Sequence, residues 1–434
     1  MAVSRRGFFG IVGAGERASD LGALIAARGF EAEQAELQQE QGQGRGGGQG
    51  RGGGQGRGGG QGRGGGRGNR PQLPDGVEPI RISSNENPLG PGQAVLNAIT
   101  GKFPEAGRYP FNSTPNDGKL VETIATLNKA KPENVVLGAG SQEILKGAIR
   151  AFTSPFRPLV TAAPTFENCT GQARRMGHPV VEVKVDSTLR LNLEEMLASV
   201  RGAGLVFLNN PNNPTATAHS AKAVQNFVER VRRISPDTVI LIDEAYHEYV
   251  TDPNYQTAIP LALSTPNVFV ARTFSKAYGM AGMRIGYAVG ETDTMKPLAR
   301  VKMPYNISVF GIAAAITALN DAAHLAQERT RNTQVRDFTV KALADLGCKS
   351  SDSQCNFIFT DVGRPAREFR DACAKLGVNV GRDFPPYEHS HVRISIGTMA
   401  EMQKATQVFR EVLGPATPAN GNGRSGRTFD AARR

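Results

Sequence analysis

Four short apolar runs, each closed by polar or turn-forming residues, set the strongest limit on what this chain can fold into. Val135-Val136-Leu137, Leu205-Val206-Phe207-Leu208, Val239-Ile240-Leu241-Ile242 and Val268-Phe269-Val270 are apolar at every position rather than at alternate ones. Strands covered on both faces read this way, and such strands belong to parallel sheets. Between them lie stretches with helical periodicity, Gln142 to Phe152 and Ala221 to Arg233, the latter with Val224, Phe227, Val228 and Val231 on one face. This alternation predicts an α/β domain with functional loops at the carboxyl ends of its strands. After Asn306 the rhythm changes. A long helical stretch through Arg336 leads to strand-like Asn356 to Phe359, a helix near Arg364 to Leu376 and strand-like Val392 to Ile396. That is the pattern of a smaller α+β domain ending near Leu413.

At 434 residues and 39% hydrophobic, the chain can bury a large core. No apolar stretch reaches the roughly 18 to 20 residues that cross a bilayer as a helix. The net charge of +11 sits mainly in the tails: residues 41–70 carry six arginines and no acid, and residues 419–434 carry four arginines and one aspartate. The basic balance therefore does not argue for a polyanion-binding core. Residues 41–70 repeat QGRGGG with almost no apolar side chain. Such a segment cannot offset its ordering entropy, so residues 41–73 are expected to form a flexible linker. The alternative is an RGG-type RNA-binding segment, but no Phe or Tyr stands between the arginines to stack on bases, and no nucleic-acid partner is expected. Residues 1–40 read as a leader. Ser4-Arg5-Arg6-Gly7-Phe8-Phe9 resembles a twin-arginine export signal, although its apolar region is interrupted at Glu16-Arg17. The expectation is export if the signal works and a cytoplasmic location otherwise. Cys169, Cys348, Cys355 and Cys373 lack metal-type spacing, so no metal is expected and buried apolar roles suit them. A Cys348–Cys355 disulfide is conceivable on export.

Thr273 to Tyr287 reads TFSKAYGMAGMRIGY. Lys276 follows an expected strand and stands among the small residues Ala277, Gly279, Ala281 and Gly282. Partial desolvation there disfavours the ammonium and frees the amine for Schiff-base chemistry. Thr273, Ser275 and Arg284 offer two hydroxyls and a guanidinium to a phosphate. Taken alone, the segment also suits a surface lysine in a glycine-rich turn. Ala139, Gly140 and Ser141 follow a strand and open a helix, so their backbone N–H groups suit a phosphate. Phe166 follows the next apolar run and suits either ring stacking or the core. Two prolines fix the turn Asn209 to Thr215 and aim the amide of Asn213. Asp243 ends a strand, where an aspartate is otherwise a helix cap, and Tyr246 follows three residues on.

The order glycine turn, aromatic, Asn, Asp with Tyr, Lys, Arg resembles that of fold-type I pyridoxal-phosphate (PLP) aminotransferases. Over roughly Ile80 to Leu413 the chain is most similar to histidinol-phosphate aminotransferases. The residues that carry this are Asn85-Glu86-Asn87-Pro88, Arg108-Tyr109-Pro110, the Asn-Pro turn, the Lys276 segment, Pro304-Tyr305-Asn306 and Val392 to Thr398. The resemblance implies an α/β fold with a large domain over 74–305 (its sheet mostly parallel and seven-stranded), a small domain over 306–414, and a tail over 415–434. It implies PLP held by Ala139, Gly140, Ser141, Phe166, Asn213, Asp243, Tyr246, Thr273, Ser275, Lys276 and Arg284. Lys276 would be Schiff-base residue and proton shuttle. Asp243 would keep the pyridine nitrogen protonated, while Asn213 and Tyr246 would bond the phenolic oxygen. Tyr109 would reach the cofactor phosphate of the other subunit in a homodimer. Asn87, Tyr305, Arg393 and Arg382 would bind substrate, with Arg393 on a carboxylate. Arg272 is left between a site role and a structural one.

Two departures bear on specificity: Ala216 stands where the family has Gly, and Gly381-Arg382 places an arginine one position late. The implied reaction moves an amino group between an amino acid or amino alcohol, such as histidinol phosphate, and a 2-oxo acid such as 2-oxoglutarate. A PLP-dependent lyase or decarboxylase of a phosphorylated amino acid is the alternative within the fold, and an RGG-type RNA-binding protein the alternative outside it.

Overall fold

The computed structural model describes residues 78–110 and 116–414. The leader, the QGRGGG linker and the tail, with the expectations that fall on them, lie outside the described residues. In chain order the strands are β1 (Ile80–Ile82), β2 (Val135–Gly138), β3 (Leu159–Ala163), β4 (Val180–Lys184), β5 (Leu205–Asn209), β6 (Val239–Asp243), β7 (Val268–Thr273), β8 (Gly286–Gly290), β9 (Lys349–Ser350), β10 (Phe357–Asp361), β11 (Val378–Val380) and β12 (His391–Ser395). Seven of them form one sheet in the order β2-β8-β7-β6-β5-β3-β4. From β4 through β3, β5 and β6 to β7 every pairing is parallel, and β8 runs antiparallel to both β7 and β2.

The unbroken apolar runs now have their explanation. Val206 and Leu208 of β5, Ile240 and Ile242 of β6, and Val268 and Val270 of β7 enter the core on one face. Leu205 and Phe207, Val239 and Leu241, and Phe269 and Ala271 enter the core on the other. Helix Ala221–Ile234 covers the first face with Val224, Phe227, Val228 and Val231. Helix Ser141–Phe152 covers the second with Ile144, Leu145, Ala148 and Ile149. Each such Val, Leu, Ile or Phe contributes roughly 1.5–3 kcal/mol when fully buried, so the sheet is held from both sides.

The single long helical stretch expected through Arg336 is instead two helices, Val309–Leu319 and Ala322–Ala344, bent by 78°. Asp321 makes the break: its carboxylate accepts the His324 N–H at 3.0 Å and caps the second helix. The first helix packs into the large-sheet core through Ile312, Ala314 and Ala315. The second carries Val335 and Leu343 into a separate core with Ile358, Phe369, Ile394 and Phe409. That smaller layer holds the antiparallel sheet β12-β10-β9 and a parallel pair, β1 with β11. The arm before the large sheet is therefore pinned to the C-terminal layer, with Ile82 in its core. Among the described residues no single helix is long and apolar enough to cross a membrane. All four cysteines are buried free thiols, so the Cys348–Cys355 disulfide is not formed.

Candidate active site

The carboxyl ends of β2, β3, β5, β6 and β7 deliver the residues singled out in the sequence to one edge of the sheet. Lys276 follows β7 by three residues. Its Nζ lies 3.4 Å from the Ser84 carbonyl oxygen and 5.6 Å from the centroid of the Tyr246 ring. Burial lowers its amine to about 8; Arg393 and Arg284 act in the same sense, and Glu86 and Asp243 oppose them. A free amine near neutral pH is what a nucleophile and proton carrier requires.

Asp243 closes β6 and is 1% exposed. Burial pushes its carboxyl up to about 7, opposed by the Ala245 N–H and by Lys276, while Glu244 adds to the rise. Its Oδ1 has no hydrogen-bond partner among the described residues. Tyr246 is buried against Phe357, ring centroids 5.0 Å apart, and its hydroxyl accepts the Asn85 Nδ2–H at 3.1 Å. Burial raises the phenol well above its ordinary range.

Gly140, Ser275, Thr273 and Arg284 form one cradle. Thr273 Oγ1 donates to Ser275 Oγ at 3.0 Å, and Arg284 Nη1 donates to Ser275 Oγ at 3.2 Å. Gly140 has φ 73° and ψ 165°, and a Cβ there would fall 2.2 Å from Arg284 Nη2. Ser141 opens helix Ser141–Phe152, whose first N–H groups have no acceptor within the helix. Ala139 differs: its N–H already donates to Glu143 Oε2 at 2.6 Å.

Asn213 and Arg393 meet although 180 residues separate them: Arg393 Nη1 donates to Asn213 Oδ1 at 2.7 Å. With its oxygen engaged, the Asn213 amide keeps its Nδ2 end as a donor. The Asn213 N–H donates to Asn209 Oδ1 at 2.8 Å, which fixes the turn. Arg393 Nη2 donates to the Ser83 carbonyl at 2.6 Å, and its buried Nε has no partner among the described residues.

The other expected residues have contacts of their own. Asn87 donates to the Ala277 carbonyl at 3.1 Å and so braces the residue after Lys276. Phe166 packs, half-buried, against the core of one sheet face. Tyr109 and Tyr305 are exposed and pair with each other, ring centroids 5.0 Å apart. Arg382 lies over the Phe384 ring at 4.4 Å, a ring that Arg393 approaches to 4.8 Å. Gly381 is needed here for close approach rather than for an unusual backbone angle: its N–H donates to the Arg393 carbonyl at 2.8 Å, and a Cβ would lie 2.6 Å from that oxygen. Arg272 is structural, donating through Nε and Nη2 to the buried Glu244 carboxylate and to Thr257.

Sequence reasoning missed Asn85. It is 1% exposed with φ 54°, bonds Tyr246, and accepts the Ser395 hydroxyl at 2.7 Å. Its signal was present in Asn85-Glu86-Asn87-Pro88, since Asn tolerates left-handed backbone that most residues avoid.

The described residues fit PLP. A buried carboxylate oxygen lacks a partner where a ring N–H would be received, a glycine-bounded cradle of hydroxyls and guanidinium suits the phosphate, and a desolvated lysine lies beside them. The signature of the family Aminotransferase class I and II matches residues 77–409, and the chain belongs to that family. It is a PLP-dependent aminotransferase of fold type I. It is 34% identical over 337 residues to histidinol-phosphate aminotransferase from Moorella thermoacetica, covering 77% of this chain and 85% of that protein. It is 33% identical over 343 residues to histidinol-phosphate aminotransferase from Bacillus subtilis, covering 77% and 91%. The crystal structure of histidinol-phosphate aminotransferase from Sinorhizobium meliloti in complex with pyridoxal-5'-phosphate superposes with a TM-score of 0.72 at 30% identity, covering 77% of this chain and 91% of that one.

Proposed function

We propose that this aminotransferase takes the amino group of histidinol phosphate and passes it to a 2-oxo acid such as 2-oxoglutarate. The observation that carries the reading is the pair of guanidiniums, Arg393 and Arg382, beside one aromatic ring at the site's edge. Two cations suit substrates that present a carboxylate in one half-reaction and a phosphate in the other. The names of the relatives at 33–34% identity point the same way.

PLP, when bound, supplies an electron-poor ring that accepts the electron pair left at the substrate Cα. The Lys276 amine would take the proton from the donor's Cα and deliver it to the cofactor carbon that receives the amino group, and its lowered basicity suits this transfer and its reverse in the second half-reaction. Asp243 would keep a proton at the ring nitrogen, the Asn213 amide and Tyr246 hydroxyl would orient the ring, and Thr273, Ser275 and Arg284 would hold the phosphate. The Asn213 contact keeps the Arg393 fork in place for a carboxylate.

The test is glutamate formation from histidinol phosphate and 2-oxoglutarate by purified, PLP-supplemented protein. The expected result is turnover, with Lys276→Ala inactive and lacking the borohydride-reducible visible band of the parent. Glutamate formation from other donors but none from histidinol phosphate would overturn the substrate. The assembly we propose is a homodimer in which Tyr109 serves the partner's cofactor phosphate. The exposed Tyr109–Tyr305 pair supports it, and sedimentation at micromolar concentration tests it. Export through the Ser4-Arg5-Arg6 signal rests on sequence alone; fractionation of cells expressing the parent and an Arg5→Lys, Arg6→Lys variant tests it.

A further inference from the structure

Arg382 does not stand alone beside Phe384. Its Nη2 donates to Glu167 Oε2 at 2.6 Å, and its Nη1 to the Asp383 carbonyl at 3.1 Å. Glu167 follows Phe166 and precedes helix Asn168–Arg175, on the rim of the large sheet; Arg382 follows β11 in the C-terminal layer. Both side chains are about half exposed, at 52% and 58%. An ion pair so wet adds little to stability. Nor does Arg382 need it for placement, since the Asp383 carbonyl and the Phe384 ring already hold the guanidinium. What the pair does is occupy Nη2 with a carboxylate, so that an anion bound through Nη2 has first to displace it. Arg393 lies within reach of the same charges: Arg382 depresses its basicity and Glu167 raises it.

We propose that Glu167 is a built-in counter-ion of Arg382, a positioning residue that the anionic group of a substrate displaces and that recaptures the guanidinium as product leaves. This rests on the reading that Arg382 receives an anionic substrate. Glu167 then acts on specificity through Arg382: it weakens binding of a donor whose phosphate reaches Arg382 and leaves alone a donor, such as phenylalanine, whose one anion is the α-carboxylate held by Arg393. A phosphate, with about −1.5 to −2 charges, competes for the guanidinium better than one carboxylate does and is repelled more by the displaced Glu167.

The experiment uses PLP-loaded holoenzyme with Glu167→Gln and Glu167→Asp. Three probes are measured at two salt concentrations: KM for histidinol phosphate, KM for phenylalanine, and the competitive Ki of inorganic phosphate. In Glu167→Gln the first and third are expected to fall about two- to fivefold, the range exposed ion pairs reach, while the phenylalanine KM and the kcat values hold. Glu167→Asp should stay near the parent, because charge is retained. Unchanged cofactor absorbance and Tm in both variants exclude a folding defect. A Glu167→Gln enzyme with unchanged or raised KM and Ki for the anions, or an equal shift for phenylalanine, overturns the proposal. If histidinol phosphate proves not to be a donor while the phosphate Ki still falls, the substrate reading fails and the counter-ion stands. If histidinol phosphate turns over with KM unmoved by Glu167→Gln, the counter-ion fails and the substrate stands.

Discussion

Replacing Asp243 by Asn tests the central carboxyl through stability rather than activity. Burial raises this carboxyl from an ordinary 3.8 to about 7 in the folded chain. A raised folded-state pKa means that the native state binds the proton more tightly than the unfolded chain does. Its contribution is therefore fully present below about pH 4, and it is lost as pH rises through about 7. Between pH 5 and pH 8 the cofactor-free protein should lose about 3 kcal/mol through this group alone. Glu248 is also pushed up to about 7 by burial, so the parent's own pH profile mixes the two. The difference between parent and Asp243→Asn isolates Asp243. Asn brings a buried amide that costs roughly 1–3 kcal/mol if unpaired, but that cost does not vary with pH. The assay is denaturant unfolding of cofactor-free protein at pH 5, 6, 7 and 8. The expected outcome is a stability gap that moves by about 3 kcal/mol in favour of Asn from pH 5 to pH 8. A gap constant across the range would refute the claim that Asp243 is desolvated, and with it the main argument that a cofactor N–H belongs there.

Gly140→Ala should weaken PLP binding by about tenfold or more: φ 73° with ψ 165° is a glycine-only conformation costing roughly 1–3 kcal/mol for other residues, and the added Cβ would displace Arg284. Absorbance titration of cofactor-free protein measures it. Arg272→Met should cost roughly 3–5 kcal/mol of unfolding free energy by stranding the buried Glu244 carboxylate, read from denaturant midpoints. Arg393→Met should raise the Lys276 pKa from its value of about 8, since Arg393 is the strongest nearby charge depressing it; the pH dependence of Lys276 acylation in cofactor-free protein reports this. Arg382→Ala should lower kcat/KM for an anionic donor by about ten- to a hundredfold, with the cofactor spectrum unchanged, from the loss of one charge-assisted contact.

The parts that sequence revealed share a physical cause. Runs such as Val239-Ile240-Leu241-Ile242 are apolar on both faces because helices cover both faces, and the residue after such a run must sit at the sheet edge; Asp243 and Lys276 could be placed for that reason. Strand β8 escaped because its sequence Gly286-Tyr287-Ala288-Val289-Gly290 is bounded by glycines, which read as turns. At Gly286 the glycine is a packing requirement, since a Cβ would lie 2.3 Å from the Ser141 nitrogen. The bend near Asp321 escaped because no glycine or proline marks it, and only the Asp321 cap distinguishes two helices from one. Arg382 was legible as a residue but not in its partnership, because Glu167 lies 215 positions away and no local pattern links them.

The same distance limit explains why the arm matters more than its length suggests. Ser83, Asn85 and Asn87 come from a segment that follows the three-residue strand β1, yet they touch Arg393, Tyr246 and the residue after Lys276 respectively. Strand β1 is paired with β11 of the C-terminal layer, so the segment between is stretched across the carboxyl edge of the large sheet. Asn85 bonds both Tyr246 of the large sheet's edge and Ser395 of β12. Asn356, at the start of β10, donates to the Asn85 carbonyl at 3.0 Å. These are buried polar contacts in which each partner's desolvation is offset only if the other arrives. The arm, the sheet edge and the C-terminal layer are thereby fixed together, and the geometry around Lys276 depends on all three being in register.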